Sequence, residues 1–372
     1  MDVVRPLVLA IETSCDDTAC ALLDGDGRVL ASSVSSQLLA HRPYGGVVPE
    51  IASREHLANW PTVAAATLAP LGIAPGDADL VAATRGPGLV GALLVGLSLG
   101  KALAYALGRP FYGVHHLEGH LWSPFLAGAG EPAATPPARF VALVVSGGHT
   151  ALYAVADGAV GTLAETRDDA MGEVFDKLGK RLGLPYPQGP VVDRLAEGGD
   201  AAGEPLPVPR VEDDLYFSFS GLKSAAIRRL EQLERAGAAG APGEPSPAML
   251  DLLAGFRAAA VAQLVDRLER LYQRQPFALL AVSGGVAANR LLRPALADWA
   301  SARGVDLRLV PPVYAGDNAA MIALAALQRH RRGDPPDPWT VEAESRIPFG
   351  AAAAKAPAAG RPGRRTSSTR RR

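Results

Sequence analysis

The sequence predicts an α/β fold with a mixed or parallel sheet. Short apolar runs of strand length alternate with longer helical segments along most of the chain. Two of these runs, residues 140–145 and 277–282, are followed by the same tripeptide, Ser-Gly-Gly. Because α/β folds bind ligands at the carboxyl edge of the sheet, we expect both glycine turns to lie at a binding site.

The N-terminal elements are expected to be a strand, a tight polar loop and a second strand. Residues 8–11 and 19–23 are apolar runs, and the polar stretch 12–18 lies between them. Another strand-like run, residues 79–84, is followed by Arg-Gly-Pro-Gly and then by the apolar stretch 89–107. Since glycine and proline mark turns, we expect a turn between this strand and the helix that follows it.

The remaining elements continue the alternation. A short strand at 111–114 precedes a helix-compatible segment that carries His116 and His120. Two loop-like insertions, at 127–138 and 236–247, are rich in Ala, Gly and Pro. In addition to the two strands that precede Ser-Gly-Gly, the sequence predicts helices at 168–182, 249–272 and 317–331.

The composition is that of a globular protein with a sizeable core. Apolar residues make up 48% of the 372 residues and charged residues 20%, which excludes collagen, coiled coil and wholesale disorder. The net charge is −1, but residues 351–372 carry seven Lys/Arg and no acid, so the rest of the chain has a net charge of −8. We expect 351–372 to be a disordered basic tail, and nucleic-acid binding by the body would need a local basic patch.

Cysteine usage and the apolar segments predict a cytoplasmic protein. Cys15 and Cys20 are the only cysteines, too few for a disulfide scaffold or a four-thiolate zinc site. No signal-peptide pattern opens the sequence. The stretch 89–107 contains glycines, Ser98 and Lys101, so a buried helix is expected there rather than a membrane span.

The segment His116-Leu117-Glu118-Gly119-His120 is a candidate metal site. Histidines at i and i+4 lie on one helix face, a spacing that suits two metal ligands. The glutamate is not in the position of the zinc-protease pattern, which argues against a peptidase. A third ligand must come from elsewhere, and Asp317 is a candidate. The alternatives are an ordinary histidine pair in a core or on a surface, and a helix N-cap for Asp317.

Other polar segments allow two interpretations each. Glu12, Asp16 and Asp17 follow the first strand and could position a metal, a water or a substrate amine, or form an exposed hairpin tip. By spacing alone, Asp176 is an ordinary residue of a helix surface. The alternating aromatics and serines of 216–223 could stack on nucleic acid, although a half-buried edge strand is the more common explanation.

Taken together, the motifs resemble one family closely, the bacterial TsaD family of tRNA N6-adenosine threonylcarbamoyltransferases, formerly called O-sialoglycoprotein endopeptidases. The resemblance covers about residues 5–335 in chain order. It rests on IETSCDDT at 11–18, YGGVVPEIASREH at 44–56, GPGLVGALLVG at 86–96, HHLEGH at 115–120, VSGGHT at 145–150, GEVFDKLGKRLGL at 172–184, FSFSGLKS at 217–224, GGVAANR at 284–290 and DNAAMIA at 317–323.

The resemblance implies two ribonuclease-H-like lobes of the actin, sugar-kinase and Hsp70-type ATPase superfamily, with a ligand cleft between them. The first lobe is expected to comprise residues 1–111 and about 318–348. The second is expected to comprise 112–317, with the insertions at 127–138 and 236–247. The basic tail 351–372 has no counterpart in the family.

The implied activity is transfer of a threonylcarbamoyl group from threonylcarbamoyl-AMP to the exocyclic amine of adenosine at tRNA position 37, in tRNAs that read codons beginning with adenine, with release of AMP. The implied partners are tRNA, a paralogous pseudo-enzyme and a small ATPase; no membrane is involved. The alternative is a non-catalytic ATP-binding scaffold of the modification complex.

The family's residues can be placed on this sequence one by one. The metal ligands fall on His116, His120 and Asp317, which implies one Fe²⁺ per subunit, with Zn²⁺ possible. The substrate-binding positions fall on Val144, Val145, Ser146, Gly147, Gly148, Asp176, Gly189, Asp193 and Asn289. The resemblance assigns no catalytic base. The sequence departs from the family pattern at Gln188, which replaces a glycine, and at Ala315-Gly316, which replaces Cys-Thr; we expect the metal site to survive both.

Overall fold

Two β-sheets with helices packed on them form the frame of the protein. The computed structural model describes residues 5–128, 131, 135–208, 215–241 and 244–352. The predicted tail therefore lies outside the described residues, apart from its first two, and the two predicted insertions are described only in part. The helices in the described part of the chain are α1 (Leu38–His41), α2 (Pro49–Leu68), α3 (Val90–Leu107), α4 (His116–Trp122), α5 (Met171–Arg181), α6 (Gln188–Leu195), α7 (Ser220–Arg235), α8 (Pro247–Arg274), α9 (Leu292–Arg303) and α10 (Ala319–Arg331).

The first sheet has the strand order β3-β2-β1-β4-β5. β1 is antiparallel to β2 and parallel to β4, which is parallel to β5. Every residue of β1 is buried, as its apolar run predicts for a central strand covered on both faces. The strands are β1 (Val8–Glu12), β2 (Asp17–Leu23), β3 (Val29–Ser36), β4 (Leu80–Gly86) and β5 (Phe111–His115).

Helices cover both faces of this sheet because successive residues of a strand point to opposite sides. Leu9 packs with residues of α2, whereas Val8 and Ala10 pack with α10. Glycines let α3 lie close to the sheet: a Cβ on Gly96 would lie 2.3 Å from Oγ1 of Thr13. The Thr13 hydroxyl accepts the Gly96 N–H at 3.1 Å, so α3 holds the start of the polar loop after β1.

The second sheet is mixed and has the order β12-β11-β6-β7-β8-β13. β11 is parallel to both β6 and β12, while β7 is antiparallel to β6 and β8. α5, α6, α7, α8 and α9 belong to this half of the molecule, and the buried side of α8 forms much of its core. The strands are β6 (Arg139–Val145), β7 (Thr150–Ala156), β8 (Ala159–Glu165), β11 (Leu279–Ser283), β12 (Asp306–Leu309) and β13 (Ala351–Ala352); β9 (Gly240–Ala241) and β10 (Glu244–Pro245) form a separate short hairpin.

The two Ser-Gly-Gly turns lie side by side at the carboxyl edge of the second sheet, as the sequence predicts. β6 and β11 are parallel neighbours, with Ser283 in register with Val144. Gly284 has a φ of +92°, and a Cβ there would lie 2.3 Å from the carbonyl oxygen of Val145. Only glycine accommodates both the backbone conformation and this approach.

The aromatic residues of 216–223 belong to the core. Phe217 and Phe219 are fully buried, so the interpretation that they stack on nucleic acid is wrong. The Ser218 and Ser220 hydroxyls between and after them both donate to Oδ2 of Asp168 at 2.6 Å. The alternation therefore reflects a buried aromatic side and a hydrogen-bonded polar side.

The chain after α10 passes from the first sheet to the second. We call residues 341–350 the C-terminal strap. The Glu344 N–H donates to the Arg85 carbonyl at 2.9 Å on the first sheet, and the Thr162 hydroxyl of β8 donates to the Phe349 carbonyl at 3.1 Å. The strap continues into β13, which pairs in parallel with β8.

By length and composition alone, α3 and α8 could each cross a membrane. α8 is largely buried inside the second half of the molecule, and α3 packs against α2 and β4. Both packing arrangements are those of helices in a folded domain.

Candidate metal centre and substrate cleft

The three predicted metal ligands come together between two buried helices. His116 and His120 lie one turn apart on α4, with ring centroids 4.8 Å apart. Nε2 of each imidazole lies 3.4 Å from Oδ1 of Asp317, which stands just before α10. The fold therefore joins the His-Leu-Glu-Gly-His segment to a carboxylate from the far end of the sequence.

Asp317 is not the N-cap of α10. That position belongs to Asn318, whose side chain accepts the Met321 N–H at 2.9 Å. At the start of α4, His115 performs the same task by accepting the Leu117 N–H at 3.1 Å. The neighbours of the triad thus satisfy the helix ends, and the side chains of His116 and Asp317 are free to face each other.

Glu12 orients His116 from behind. One Glu12 oxygen, Oε2, lies 3.3 Å from Nδ1 of His116, and the Ser14 hydroxyl lies 3.2 Å from the same nitrogen. Glu12 is itself fixed by the Thr84 hydroxyl and the Ser14 N–H. A carboxylate bonded to the second nitrogen of a ligating histidine sets the ring orientation and raises the ligand's basicity, so Glu12 is an orienting group and not a free base.

The residues present fit a bound metal ion. The ligand atoms of the triad all lie within 4.8 Å of one another. Neither ring nitrogen of His120 has a hydrogen-bond partner among the described residues, although the side chain is fully buried. A buried polar group without a partner is costly, and a metal ion would supply that partner. Two histidines and one carboxylate are the donor set of iron(II) and zinc sites.

The electrostatics of the triad favour a cation. Burial alone would lower the pKa of His116, but the Asp317 and Glu12 carboxylates hold it well above its usual value. Burial would raise the pKa of Asp317, and the two histidines hold it well below its usual value. Burial lowers the pKa of His120, which keeps this imidazole neutral and able to ligate. A metal would replace the proton on His116.

Two adjoining cavities open beside the triad. The smaller, about 380 Å³, is lined by Gly147, Asp176, Gly189, Asp193 and Asn289 with their neighbours. The larger, about 920 Å³, is lined by the acidic loop, His116, Asp317, the first glycine turn and the strap. Gly147 and Gly285, one from each glycine turn, line both cavities. A Cβ on either glycine would meet no atom within 4 Å, so both backbones are open to a ligand.

The predicted substrate-binding residues divide into three groups. Val144 and Val145 have fully buried side chains in β6 and line neither cavity. Ser146 and Gly148 line the larger cavity. The Ser146 hydroxyl accepts the His149 N–H at 3.1 Å, which holds the turn closed.

The third group lines the smaller cavity. Oδ1 of Asp176 accepts the Gly189 N–H at 2.7 Å, and burial raises the pKa of Asp176. The spacing argument that made Asp176 an ordinary surface residue is therefore wrong. Asp193 and Asn289 bond to each other at 2.7 Å, and Oδ1 of Asn289 accepts the Leu292 N–H at 2.9 Å. Their polar atoms already hold the start of α9.

The acidic loop after β1 faces the larger cavity. Asp16 and Asp17 both line it, so the exposed-hairpin interpretation of the loop is wrong. Tyr186, from the loop before α6, donates its hydroxyl to Oδ2 of Asp16 at 3.3 Å across the cavity. Burial raises the pKa of Asp17 to about 7, so this carboxyl group exchanges a proton near neutral pH.

Comparison with known proteins identifies the family. A profile of the TsaD family, described as tRNA N6-adenosine threonylcarbamoyltransferase, matches residues 28–324. The chain belongs to the TsaD family. Two relatives are named tRNA N6-adenosine threonylcarbamoyltransferase. The protein from Thermus thermophilus is 47% identical over 92% of this chain and 98% of the relative, and the protein from Pelobacter propionicus is 50% identical over 86% and 90%.

Solved structures support the fold. HypF from T. kodakarensis superposes with a TM-score of 0.56 at 16% identity, over 92% of this chain and 49% of HypF. A nucleotide-bound full-length HypF gives the same TM-score at 12% identity, over 88% of this chain and 47% of that one. These superpositions and the two helix-covered sheets confirm the predicted two-lobed α/β architecture.

The two departures from the family pattern leave the triad in place. Gln188 is buried at the start of α6, and a Cβ on Gly179 would lie 2.5 Å from the Cβ of Gln188, so Gln188 packs against α5. Ala315 is also buried, and the Gly316 carbonyl accepts from the Asn318 side chain at 2.8 Å. Neither substitution removes a ligand.

Sequence reasoning missed three features of the cleft. His149 lines the larger cavity, and burial lowers its pKa to about 4. Arg346 on the strap lines the same cavity. His56 donates from beneath the acidic loop to the Cys15 carbonyl at 3.1 Å. The VSGGHT segment carried a signal for His149, whereas only the tertiary fold brings Arg346 to the cavity and His56 beneath the acidic loop.

Proposed function

We propose that this protein transfers a threonylcarbamoyl group from threonylcarbamoyl-AMP to the exocyclic amine of adenosine 37 in tRNAs that read codons beginning with adenine. Family membership and the activity for which its relatives are named support the reaction. The observation that carries the proposal is that the larger cavity, lined by His116 and Asp317 of the triad, shares Gly147 and Gly285 with the smaller cavity. A nucleotide donor and a polarising group can therefore meet in one cleft.

The transfer exchanges one bond to the carbamoyl carbon for another. The bond between that carbon and the phosphate oxygen breaks, and a bond to the adenosine nitrogen forms. AMP leaves with the electron pair of the broken bond, and the amine gives up one proton. The cleft must hold two nucleotides, accept a proton and stabilise negative charge on the departing phosphate.

The smaller cavity is the proposed binding site of the donor, threonylcarbamoyl-AMP. Gly147 and Gly285 present backbone without side chains, which lets N–H groups approach a phosphate. Asp176 holds the Gly189 N–H and so fixes the wall that faces an adenylate. The Ser146 hydroxyl holds the first glycine turn, and Asn289, bonded to Asp193, holds the start of α9. Gly148 lines the adjoining larger cavity.

We assign iron(II) to the triad, with zinc as the alternative, one ion per chain. His116, His120 and Asp317 would hold it, with Glu12 orienting His116. When bound, the metal acts as a Lewis acid that polarises the carbamoyl group or neutralises the departing phosphate. Metal analysis of protein purified without oxygen identifies the ion.

The larger cavity is the proposed binding site of the acceptor adenosine. Glu12 is occupied by Ser14, Thr84 and His116, which leaves Asp16 and Asp17 on the cavity wall. With its pKa raised by burial to about 7, Asp17 is suited to exchange a proton with the acceptor amine near neutral pH.

The proposed partners are tRNA, a paralogous pseudo-enzyme and a small ATPase, in the cytoplasm. α2 and α3 pack together and leave Leu57, Val90, Leu94 and Tyr105 exposed on the first half of the molecule. Val90 and Leu94 lie one turn apart on α3, and exposed apolar side chains grouped in this way are typical of an interaction surface. We assign this surface to the paralogous partner. Replacing Leu94 with Glu should abolish copurification of that partner and leave the isolated chain folded.

The deciding experiment is nucleoside mass spectrometry of tRNA from a reconstituted reaction. It contains threonine, bicarbonate, ATP, unmodified tRNA, the donor-forming enzyme and both partners, with and without this chain. Threonylcarbamoyladenosine that requires this chain, and that disappears with His120→Ala, supports transfer at the triad. His330→Gln is a matched control, because His330 lies on α10 near Tyr112 and lines neither cavity.

A different result would favour the scaffold alternative. If modification requires the chain but persists in both His116→Ala and Asp317→Ala, the chain assembles the complex and the chemistry lies elsewhere. If no product forms while a known family member is active in parallel, the proposed function is wrong for this protein.

A further inference from the structure

We infer that Arg346, on the C-terminal strap, binds a backbone phosphate of the tRNA beside the acceptor nucleotide. The inference deepens the proposed function and rests on it, since it concerns the RNA that the larger cavity would receive. It assigns a residue of the strap, which no predicted motif includes, to substrate binding.

The strap holds the backbone of Arg346 on both sides. The Ser345 carbonyl accepts the Gly88 N–H at 3.4 Å, and the Ile347 carbonyl lies 3.2 Å from Nε2 of His115. The Phe349 ring stacks on His115 with centroids 4.4 Å apart. Because Ser345 and Ile347 are both anchored, the backbone of Arg346 has a fixed position on the cavity wall.

Two glycines, Gly86 and Gly88, form the surface on which the strap packs. A Cβ on Gly86 would lie 2.1 Å from the carbonyl oxygen of Glu344, and the φ of Gly86 is +150°. A Cβ on Gly88 would lie 2.4 Å from the Ser14 carbonyl oxygen. Glycine at both positions lets the strap and the acidic loop approach the same turn, and Arg346 lines the same cavity as the acidic loop.

Arg346 has no hydrogen-bond or ion-pair partner among the described residues, and its side chain is exposed. The described wall of the larger cavity contains three carboxylates, Asp16, Asp17 and Asp317, and Arg346 is the one Lys or Arg within it. Asp317 belongs to the triad, so Asp16 and Asp17 are the acids that repel a polyanion from the cavity. A single unpaired guanidinium at the same wall offers the one strong phosphate contact there, through its fork of N–H donors.

The position of Arg346 favours the RNA over the donor. Arg346 lines only the larger cavity, whereas Asp176, Gly189 and Asn289 line only the smaller one. An adenosine whose base enters the larger cavity keeps its backbone phosphates at the rim, because the phosphates are charged and the cavity is acidic. Phosphate contacts of this kind fix the orientation of a nucleic acid without reading its sequence.

The test compares Arg346→Gln with Arg228→Gln in the reconstituted complex. Arg228 is an exposed arginine on α7 that lines neither cavity and has no partner among the described residues, so it controls for loss of one charge. We expect Arg346→Gln to raise KM for tRNA about five- to tenfold, with kcat and KM for threonylcarbamoyl-AMP changed less than about twofold. Arg346→Lys should restore most of the affinity, because lysine also binds phosphate as a point charge.

Salt dependence gives a second readout that a structural role would not change. The slope of log K for tRNA against log salt concentration should decrease in magnitude by about 0.7–0.9 in Arg346→Gln, the value for one phosphate contact. Equal slopes and equal KM for tRNA in Arg346→Gln and Arg228→Gln would overturn the inference. A raised KM for the donor alone would assign the arginine to the donor phosphate instead. If the wild-type complex makes no product but binds tRNA with the predicted difference in slope, the proposed function fails and the RNA contact stands.

Discussion

The protein contains two buried histidine clusters, and they differ in whether their nitrogens have partners. In the first, His116 and His120 face Asp317 beside the larger cavity. The second is a network of Gln37, His41 and His56 beneath the acidic loop. Histidines of both clusters are buried, so burial alone does not distinguish a ligand from a structural residue.

Hydrogen bonding does distinguish them. In the network, Nδ1 of His56 lies 2.7 Å from the Thr18 hydroxyl, and its Nε2 lies 3.1 Å from the Cys15 carbonyl oxygen. Nδ1 of His41 accepts the Val48 N–H at 3.2 Å, while Nε2 of His41 lies 3.1 Å from Oε1 of Gln37. One tautomer of each ring satisfies all these contacts. His120, by contrast, has no hydrogen-bond partner at either nitrogen among the described residues.

The difference predicts opposite effects of losing a histidine. His120→Ala should abolish metal binding and reduce tRNA modification at least about 100-fold. The protein should stay folded, because the substitution leaves a buried void but removes no hydrogen bond. Metal content by mass spectrometry, activity and thermal unfolding of the metal-free protein measure the three effects. An active, metal-loaded variant would show that the triad is not the metal site.

A smaller loss of metal affinity is expected for Glu12, which contacts His116 but is not itself a proposed ligand. Glu12→Gln keeps the shape of the side chain but removes the charge that orients His116. Losing such an outer partner costs about 10- to 100-fold in metal affinity or activity. Competition with a chelator measures the affinity, and Glu118→Gln on the opposite side of α4 is the control. Equal affinities in the two variants would mean that Glu12 serves only the fold.

The sequence predicts much of the fold because its main elements are unambiguous. The apolar runs before the two Ser-Gly-Gly turns become parallel neighbours, and the helix at the His-Leu-Glu-Gly-His segment begins at His116. The two-lobed architecture came from the family resemblance and not from the pattern of strands. Alternation of strands and helices fixes the class of a fold but not which strands share a sheet.

The site is less predictable because much of it depends on contacts distant in sequence. Spacing placed Asp176 on a helix surface, but its neighbour Gly189 comes from another helix. Local pattern gave Asp317 the N-cap role that Asn318 takes. Arg346 reaches the cavity because the strap packs on Gly86 and Gly88, which are distant from it in sequence. No short motif contains that information.

We expect substitutions in the network of Gln37, His41 and His56 to lower stability, whereas substitutions in the triad lower activity. His56→Ala removes the partners of the Thr18 hydroxyl and the Cys15 carbonyl and leaves a void. We expect the free energy of unfolding to fall by about 2 kcal/mol, since each buried group left without a partner costs about 1–3 kcal/mol. Urea titration of the metal-free protein measures the loss, with His120→Ala as the comparison. A larger loss in His120→Ala would reverse the assignment of the two clusters.

The smallest expected effect is a pH dependence that belongs to the network. Burial lowers the pKa of His56 below the ordinary value of 6.5, so the folded protein binds fewer protons at this site than the unfolded chain. The contribution of His56 to stability therefore falls as the pH drops below 6.5. Between about pH 7.5 and 5.5 the contribution of one histidine is at most about 1.4 kcal/mol.

His56→Gln isolates this contribution, because glutamine does not titrate and the nearby Glu12, Asp16 and His41 remain in both proteins. Over the same pH interval the variant should lose less stability than the wild type, although it starts from a lower value. Urea midpoints at the two pH values give the difference. Equal losses would mean that His56 takes up its proton in the folded state as readily as in the unfolded chain, and that its hydrogen bonds to Thr18, Gln37 and Cys15 do not hold the ring neutral.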